Sequence, residues 1–231
     1  MLMFIKKILR SLGYDIRYYH SYWDTVVAPC HIQTVFDIGA NNGEYSKEIF
    51  AHIPEAEVYA FEPLSDCFET LTKSFEGNPH MHAFKTALGD SLGETTIERS
   101  SFHPSSSLLP MAKLHKELYP KTADSTKEKI AIARLDDVAK NIDIKGKLMI
   151  KIDVQGFEDK VIAGGKNTFA RASVILVETS FVELYEGQPL FSDINKLLVD
   201  LGFSYGGVAT EHRDKKTGEL LYQDSLFVKK S

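Results

Sequence analysis

The stretch Val35-Phe-Asp-Ile-Gly-Ala-Asn-Asn-Gly43 joins an apolar run to a helix-like segment through a turn rich in glycine and asparagine. Residues 33–38 have the nearly continuous hydrophobic character of a strand that is buried on both faces. Residues 43–52 repeat apolar side chains at helical spacing. A strand, a glycine turn and a helix in this order predict the first βα unit of an open α/β sheet, whose ligands bind beyond the carboxyl ends of the strands.

The same alternation of strand-like and helix-like segments continues along the chain. Further strands are predicted at residues 56–61, 81–86, 147–154 and 173–179, and helices just after Glu62 with Pro63 in the first turn, at 157–163 and around 194–201. The chain then ends in two strands, 203–209 and 220–229, which predict an antiparallel pair. The expected fold class is therefore α/β, with a mostly parallel sheet and helices on both faces.

Residues 100–128 interrupt this alternation. They are rich in Ser, Lys, Pro and Thr, with one short helix predicted from Pro110 to Leu118 and extra strands on either side, at residues 95–99 and 129–134. Two interpretations stay open. The segment is either a surface excursion, or a lid or acceptor-binding segment over the ligand-binding edge of the sheet.

Length and composition are those of one globular domain. The chain has 231 residues, of which 43% are hydrophobic and 26% charged, and its net charge of −5 argues against a dedicated nucleic-acid binder. Two cysteines cannot form a disulfide framework, and the apolar runs are too short to span a bilayer. We expect a cytoplasmic protein with an N-terminal helical segment, residues 1–30, and a single domain, residues 31–231.

Residues 1–13 combine apolar side chains at helical spacing with Lys6, Lys7 and Arg10 between them. A secretory signal would place these charges ahead of a longer apolar core. The segment is either a basic amphipathic helix lying on a membrane surface or a partner, or a helix packed on its own domain. Contact with a membrane would make the protein peripheral to the inner membrane face.

The glycine turn is poorly suited to a dinucleotide. The fingerprint Gly-x-Gly-x-x-Gly would require glycine at the three places that Gly39, Asn41 and Glu44 occupy. Asp37, just before the turn, repels phosphate, whereas Glu62, at the end of the second strand, can accept hydrogen bonds from ribose hydroxyls. These two acids favour a ligand that has an amino acid part and a nucleoside part.

Four motifs in a fixed order resemble those of the FkbM-type methyltransferases. They are Asp37-x-Gly39-x-Asn41-x-Gly43, Phe61-Glu62-Pro63, Ala87-Leu88-Gly89-Asp90 and Lys151-Ile-Asp153-Val-Gln-Gly156-x-Glu158, and the resemblance extends over about residues 33–208. It implies a Rossmann-like class I methyltransferase fold, with a seven-stranded sheet containing one antiparallel strand. It also implies the cofactor S-adenosylmethionine and its product S-adenosylhomocysteine.

The resemblance further implies which residues bind the cofactor. These would be Asp37, Gly39, Ala40, Asn41 and Gly43 on the methionine side, Glu62 and Pro63 at the ribose, Ala87, Leu88 and Asp90 beside the adenine, and Asp153 near the methyl group. The chain departs from the family pattern at Gln155, where the family more often has Glu. This difference removes a charge beside Asp153.

Methyl transfer to a hydroxyl needs a base that removes the hydroxyl proton, which typically contributes roughly 10²–10⁴-fold to the rate. The predicted catalytic residues are Asp153, Lys151 and Glu178, at the carboxyl ends of two neighbouring strands. Asp153 is the first candidate for the base and Glu178 the second, while Glu158 could instead cap its helix. A divalent metal between Asp153 and Glu178 is considered but not favoured.

The predicted function is an S-adenosylmethionine-dependent O-methyltransferase that acts on a hydroxyl of a sugar, glycan or secondary metabolite, and not on nucleic acid. Two alternatives are kept, a catalytically silent S-adenosylmethionine-binding protein and a methyltransferase of a non-carbohydrate small molecule. A hydrolase is rejected because Gly202-Phe-Ser-Tyr-Gly206 leads from a helix into a strand, the reverse of a nucleophile elbow. His103 and His115 lie in the irregular segment, where they either reach an acceptor or are solvated surface residues, and we expect the second.

Overall fold

The computed structural model describes residues 21–230 and, ahead of them, residues 5, 7, 9 and 11, which are helical. The rest of the segment predicted as a basic amphipathic helix, residues 1–13, lies outside the described residues, so its contact with a membrane stays a prediction. Within the described part of the chain, no helix is both long enough and apolar enough to cross a membrane.

Ten strands and eight α-helices are found among the described residues 21–230. The strands are β1 Ile32–Ile38, β2 Glu57–Phe61, β3 Met81–Phe84, β4 Ala87–Gly89, β5 Gly93–Ser100, β6 Ser125–Arg134, β7 Lys147–Ile152, β8 Ala172–Ser180, β9 Phe203–Arg213 and β10 Leu220–Lys229. The helices are α1 Ala28–Cys30, α2 Glu44–His52, α3 Ser65–Ser74, α4 Lys113–Leu118, α5 Leu135–Ala139, α6 Glu158–Gly164, α7 Lys166–Phe169 and α8 Phe191–Asp200. A π-helical turn, Trp23–Val27, precedes α1.

Seven of these strands form the main sheet, in the order β3-β2-β1-β7-β8-β10-β9. Strand β10 runs antiparallel to both of its neighbours, and the other neighbouring pairs are parallel. The predicted fold class is confirmed, including the single antiparallel strand. The reversal between β1 and β7 in the strand order is where an open α/β sheet binds its ligands.

Apolar packing on both faces keeps this sheet in the middle of the molecule. Strands β1 and β7 are buried along nearly their whole length, as expected for central parallel strands. On one face Phe36 packs edge-on against Tyr59 and Phe61, with ring centroids 5.5 and 6.0 Å apart, in the cluster that includes Ile194 of α8. On the other face Ile49 of α2 and the π-helical turn pack against the sheet.

A second sheet, β4-β6-β5, lies beside the main one. The extra strands predicted at residues 95–99 and 129–134 pair with each other in β5 and β6. Between them the chain forms two 3₁₀ turns, His103–Ser105 and Pro120–Thr122, and helix α4. Backbone hydrogen bonds tie this segment down, since Glu98 and Ser107 pair with each other and the Ala112 N–H donates to the Leu184 carbonyl at 2.9 Å.

Replacing Phe36 by alanine tests the account of the core. Phe36 has no exposed surface, so we expect Phe36→Ala to lower the free energy of unfolding by about 3–5 kcal/mol, through lost burial and the cavity left behind. Urea unfolding would measure it. Leu92 is 76% exposed, and we expect the control Leu92→Ala to change stability by less than about 0.5 kcal/mol. Equal losses in the two variants would contradict the assigned core.

Candidate active site

The loop after β1 lies directly against the loop after β7. Gly39 has a φ of +79°, and a Cβ at this position would lie 1.9 Å from the backbone oxygen of Asp153. The N–H groups of Gly39 and Ala40 both donate to the Phe61 carbonyl at 3.0 Å, which draws in the end of β2 as well. Only glycine allows three strand ends to meet so closely, and their meeting creates a cleft.

Glu62 lies at the base of this cleft with both carboxyl oxygens oriented by backbone groups. Its Oε2 accepts the Asn41 N–H at 2.9 Å, and its Oε1 accepts the Leu64 N–H at 2.8 Å. Burial raises the pKa of Glu62 to about 7, although both backbone hydrogen bonds oppose the shift. The same turn explains a small error in the prediction: Leu64 is extended, so helix α3 begins at Ser65 and not at Pro63.

The cleft is lined by both polar and apolar residues from the ends of β1, β2 and β7, as is usual for small-molecule and cofactor sites. Of the residues predicted to bind the cofactor, seven line it: Gly39, Asn41, Glu62, Pro63, Ala87, Leu88 and Asp153. Residues from the segment between β5 and β6 form the opposite wall, among them His103, Pro104 and Ser106–Leu108. Polar groups of the loops and apolar side chains such as Leu88 and Ile97 line the cleft together. This mixture suits an amino acid joined to a nucleoside, so the residues present fit S-adenosylmethionine.

Of the remaining predicted cofactor residues, Asp90 is exposed and does not line the cleft, and three others lie behind the cleft. Asp37 is fully buried and its Oδ2 accepts a hydrogen bond from Ser46 Oγ at 2.6 Å. Ala40 packs in an apolar cluster with Leu71. A Cβ on Gly43 would come within 2.7 Å of the Leu71 side chain. The structure thus places Asp37, Ala40 and Gly43 where they support the loop.

Lys151 lies between Asp37, behind the cleft, and Asp153, the predicted base for methyl transfer. Its Nζ donates to the Gly39 carbonyl at 3.2 Å and lies 3.5 Å from Asp37 Oδ1 and 3.6 Å from Asp153 Oδ2. Burial alone would lower the pKa of Lys151, but the charges of Asp153 and Asp37 outweigh it and raise the pKa above its usual value. Lys151 is therefore a buried cation shared between the two acids.

Gln155 links the two acids that the sequence singles out for catalysis. Its Nε2 donates to Asp153 Oδ1 at 2.7 Å and to Glu178 Oε1 at 3.0 Å. Its Oε1 accepts a hydrogen bond from the Tyr185 hydroxyl at 2.8 Å. The predicted pair of Asp153 and Glu178 is thus brought together through the side-chain amide of Gln155, the residue at which the chain departs from the family pattern.

Burial shifts the remaining acids of this site toward their neutral forms. Desolvation, followed by the charges of Asp153 and Glu158, raises the pKa of Glu178 well above its usual range. Burial also raises the pKa of Glu158 to about 7. Glu158 Oε1 accepts the N–H groups of Val154 and Gly156 at 3.1 and 3.2 Å, so Glu158 orders the turn that leads into α6.

The expectation that His115 is a solvated surface residue is wrong. His115 is 3% exposed, and it makes a hydrogen bond of 3.0 Å with Thr122 Oγ1. Burial lowers its pKa, which favours a neutral, structural imidazole. The helical pattern around His115 gave no sign of this burial, because the contacts come from the following 3₁₀ turn.

His103 borders the cleft and also lies beside Cys67 and Asp66. These three side chains offer ligand atoms within 4.8 Å of one another, which could suit a metal ion. The Arg99 guanidinium, however, already pairs with Asp66 at 2.5 Å, and burial raises the pKa of the Cys67 thiol to about 12. A cation beside the carboxylate and a protonated thiol both favour a structural cluster.

Solved structures of other proteins resemble this chain in fold. TehB from Haemophilus influenzae is similar in structure, with a TM-score of 0.50 at 9% identity over 97% of this chain and 67% of that one. Magnesium protoporphyrin IX methyltransferase from Synechocystis PCC 6803, solved with bound S-adenosylmethionine, gives a TM-score of 0.46 at 13% identity over 99% and 96% of the two chains. The fold and the site define a class I S-adenosylmethionine-dependent methyltransferase.

Sequence comparisons identify the family. The model of the methyltransferase FkbM domain matches residues 37–205, and the chain belongs to this family. The 2-O-methyltransferase NoeI of Sinorhizobium fredii is 30% identical over 204 residues, which cover 83% of this chain and 80% of the relative. The methyltransferase sdnD of Sordaria araneosa is 29% identical over 192 residues, covering 73% of each.

The raised pKa of Glu62 predicts a pH dependence of cofactor binding. Ribose hydroxyls donate to the ionised carboxylate, so the ligand binds this form better and its affinity falls as the pH drops below about 7. We expect the dissociation constant of S-adenosylhomocysteine, measured by calorimetry between about pH 5.5 and 8.5, to rise by at most about tenfold per unit below pH 7.

Glu62→Gln should remove most of this pH dependence and weaken binding at high pH. The matched control is Glu69→Gln, an exposed carboxyl group on α3, which should keep the wild-type profile. A profile that is unchanged in Glu62→Gln would contradict the assignment of Glu62 to the ribose.

Proposed function

We propose that the protein is an O-methyltransferase whose acceptor is a hydroxyl of a sugar, glycan or secondary metabolite. The observation that carries the proposal is the position of Asp153. Its side chain is 34% exposed, it borders the cleft, and it follows β7 beside the glycine loop. A carboxylate in this position can reach both the cofactor and an acceptor that enters from outside.

A hydroxyl acceptor requires the chain to supply orientation and a base. When bound, S-adenosylmethionine supplies a methyl group whose bond to sulfur breaks as a bond to the acceptor oxygen forms. Asp153 takes the hydroxyl proton. Before this step the Lys151 ammonium, 3.6 Å away, balances the negative charge of the Asp153 carboxylate. Proton removal by a positioned base is worth roughly 10²–10⁴-fold, and orientation of the acceptor adds to it.

The relatives support an oxygen acceptor. The protein from Sinorhizobium fredii is named a 2-O-methyltransferase, and its similarity covers most of both chains. The carboxyl groups of Asp153, Glu178 and Asp224 lie near one another. Gln155 bonds to both Asp153 and Glu178, and Asp224 of β10 pairs with Glu178 of β8 in the sheet. Carboxyl groups are good hydrogen-bond partners for several hydroxyls at once, which favours a polyhydroxylated acceptor.

Replacing Asp153 by asparagine tests the base. We expect Asp153→Asn to lower kcat by roughly 10²–10⁴-fold, with binding of S-adenosylhomocysteine changed by less than about threefold, because the side chain keeps its size and one oxygen. The measurement is release of S-adenosylhomocysteine with a panel of sugars, glycans and hydroxylated metabolites. The control is Asp159→Asn, whose carboxylate pairs with Lys160 at 3.4 Å and should leave kcat near the wild-type value.

Two results would count against this function. Full turnover by Asp153→Asn with normal cofactor binding would show that another group takes the proton. Tight cofactor binding by the wild-type protein without turnover on any member of the panel would favour the catalytically silent binding protein.

A further inference from the structure

Gln155 is held more tightly than its place in a loop would require. Its φ of +55° lies in the left-handed region that non-glycine residues rarely adopt. Its carbonyl accepts a hydrogen bond from Ser107 Oγ at 2.6 Å, and its side chain bonds to Asp153, Glu178 and Tyr185. A residue kept in such a backbone conformation persists only where its surroundings demand it, and such residues concentrate at functional sites.

The hydrogen bonds also decide which way the amide faces. The Asp153 carboxylate is an acceptor only, so the amide nitrogen faces Asp153 and Glu178, and the carbonyl faces the Tyr185 hydroxyl. Tyr185 is itself buried, with 2% of its surface exposed, and its hydroxyl also contacts the Ser105 carbonyl at 3.1 Å. Tyr185 thereby fixes the orientation of the amide.

The two facing oxygens of Asp153 and Glu178 require a hydrogen-bond donor or a cation between them. A divalent cation would bind these same oxygens at about 2.0–2.6 Å. The amide nitrogen instead lies 2.7 and 3.0 Å from them and donates one N–H to each. The amide therefore fills the space that a cation bridging Asp153 and Glu178 would need.

We propose that Gln155 is a positioning residue of the transfer site, whose side-chain amide takes the place of a divalent cation between Asp153 and Glu178. The bridge uses one oxygen of each carboxyl group and fixes the direction in which both face the acceptor. Methyl transfer at this site is then independent of metal ions. The inference rests on the proposed function for the role of Asp153, but the exclusion of a cation can be measured without cofactor or acceptor.

The test is a titration of the full chain with Mn²⁺, followed by calorimetry or electron paramagnetic resonance. Gln155→Glu keeps the side-chain shape and replaces the two donors by a third carboxylate oxygen, so it should bind Mn²⁺ at least about tenfold more tightly than the wild type. Adding Glu178→Gln to this variant should return the affinity to the wild-type level. This gain of binding is a readout that a merely structural role of Gln155 would not produce.

The matched control is Gln188→Glu. Gln188 is also buried, and its Oε1 accepts the N–H groups of Leu184 and Tyr185 at 2.9 and 2.5 Å. The change adds the same charge close to Tyr185 but outside the bridge, so its Mn²⁺ affinity should match that of the wild type. If Gln155→Glu does not fold, Gln155→Ala frees the same space and should also bind Mn²⁺ more tightly than the wild type.

Either of two results would overturn the inference. The wild-type protein could bind Mn²⁺ as tightly as Gln155→Glu, with the site lost in Glu178→Gln. Alternatively, Gln155→Glu and Gln155→Ala could gain nothing over Gln188→Glu while still folded. S-adenosylhomocysteine is titrated in parallel. Its failure to bind the wild type would count against the proposed function, whereas the Mn²⁺ titration would still test the exclusion of a cation.

Discussion

The close approach of two loops at Gly39 is the constraint on which the rest of the site depends. A side chain at this position would overlap the backbone oxygen of Asp153, so glycine alone lets the ends of β1 and β7 meet. The same loop donates two hydrogen bonds to the end of β2, from the Gly39 and Ala40 N–H groups to the Phe61 carbonyl. As a result Glu62 and Asp153, which come from different strands, border one cleft. Backbone contacts between the loops therefore bring the predicted cofactor-binding and methyl-transfer residues to the same cleft.

A buried polar layer then holds the acids in place. Lys151 joins Asp37, the Gly39 carbonyl and Asp153 behind the cleft. Gln155 joins Asp153 to Glu178 in front. Burying an unpaired charge costs free energy. Each acid in this layer therefore lies next to a hydrogen-bond donor or a cation. The segment between β5 and β6 closes this layer through Ser107, which bonds to the Gln155 carbonyl.

Periodicity and turn chemistry were sufficient to predict the main sheet. The strand predicted at residues 220–229 has those bounds in the structure, and the one at 33–38 starts only one residue earlier. The prediction of β1 succeeds because a parallel strand that is buried on both faces has a strong local signature. Contacts between distant segments have no such signature. The buried state of His115 depends on Thr122. The amide bridge of Gln155 depends on Asp153, on Glu178 of β8 and on Tyr185. The inward direction of Asp37 depends on Ser46 of α2.

The central claim is that the cleft is built for S-adenosylmethionine through its backbone loops and Glu62. Isothermal titration with S-adenosylmethionine, S-adenosylhomocysteine and NAD, repeated on Glu62→Ala, tests it most directly. The account predicts about micromolar binding of the two sulfur ligands, loss of that binding in the variant and no binding of NAD. Binding of NAD in preference to either sulfur ligand, or sulfur-ligand binding that is unchanged in Glu62→Ala, would contradict it.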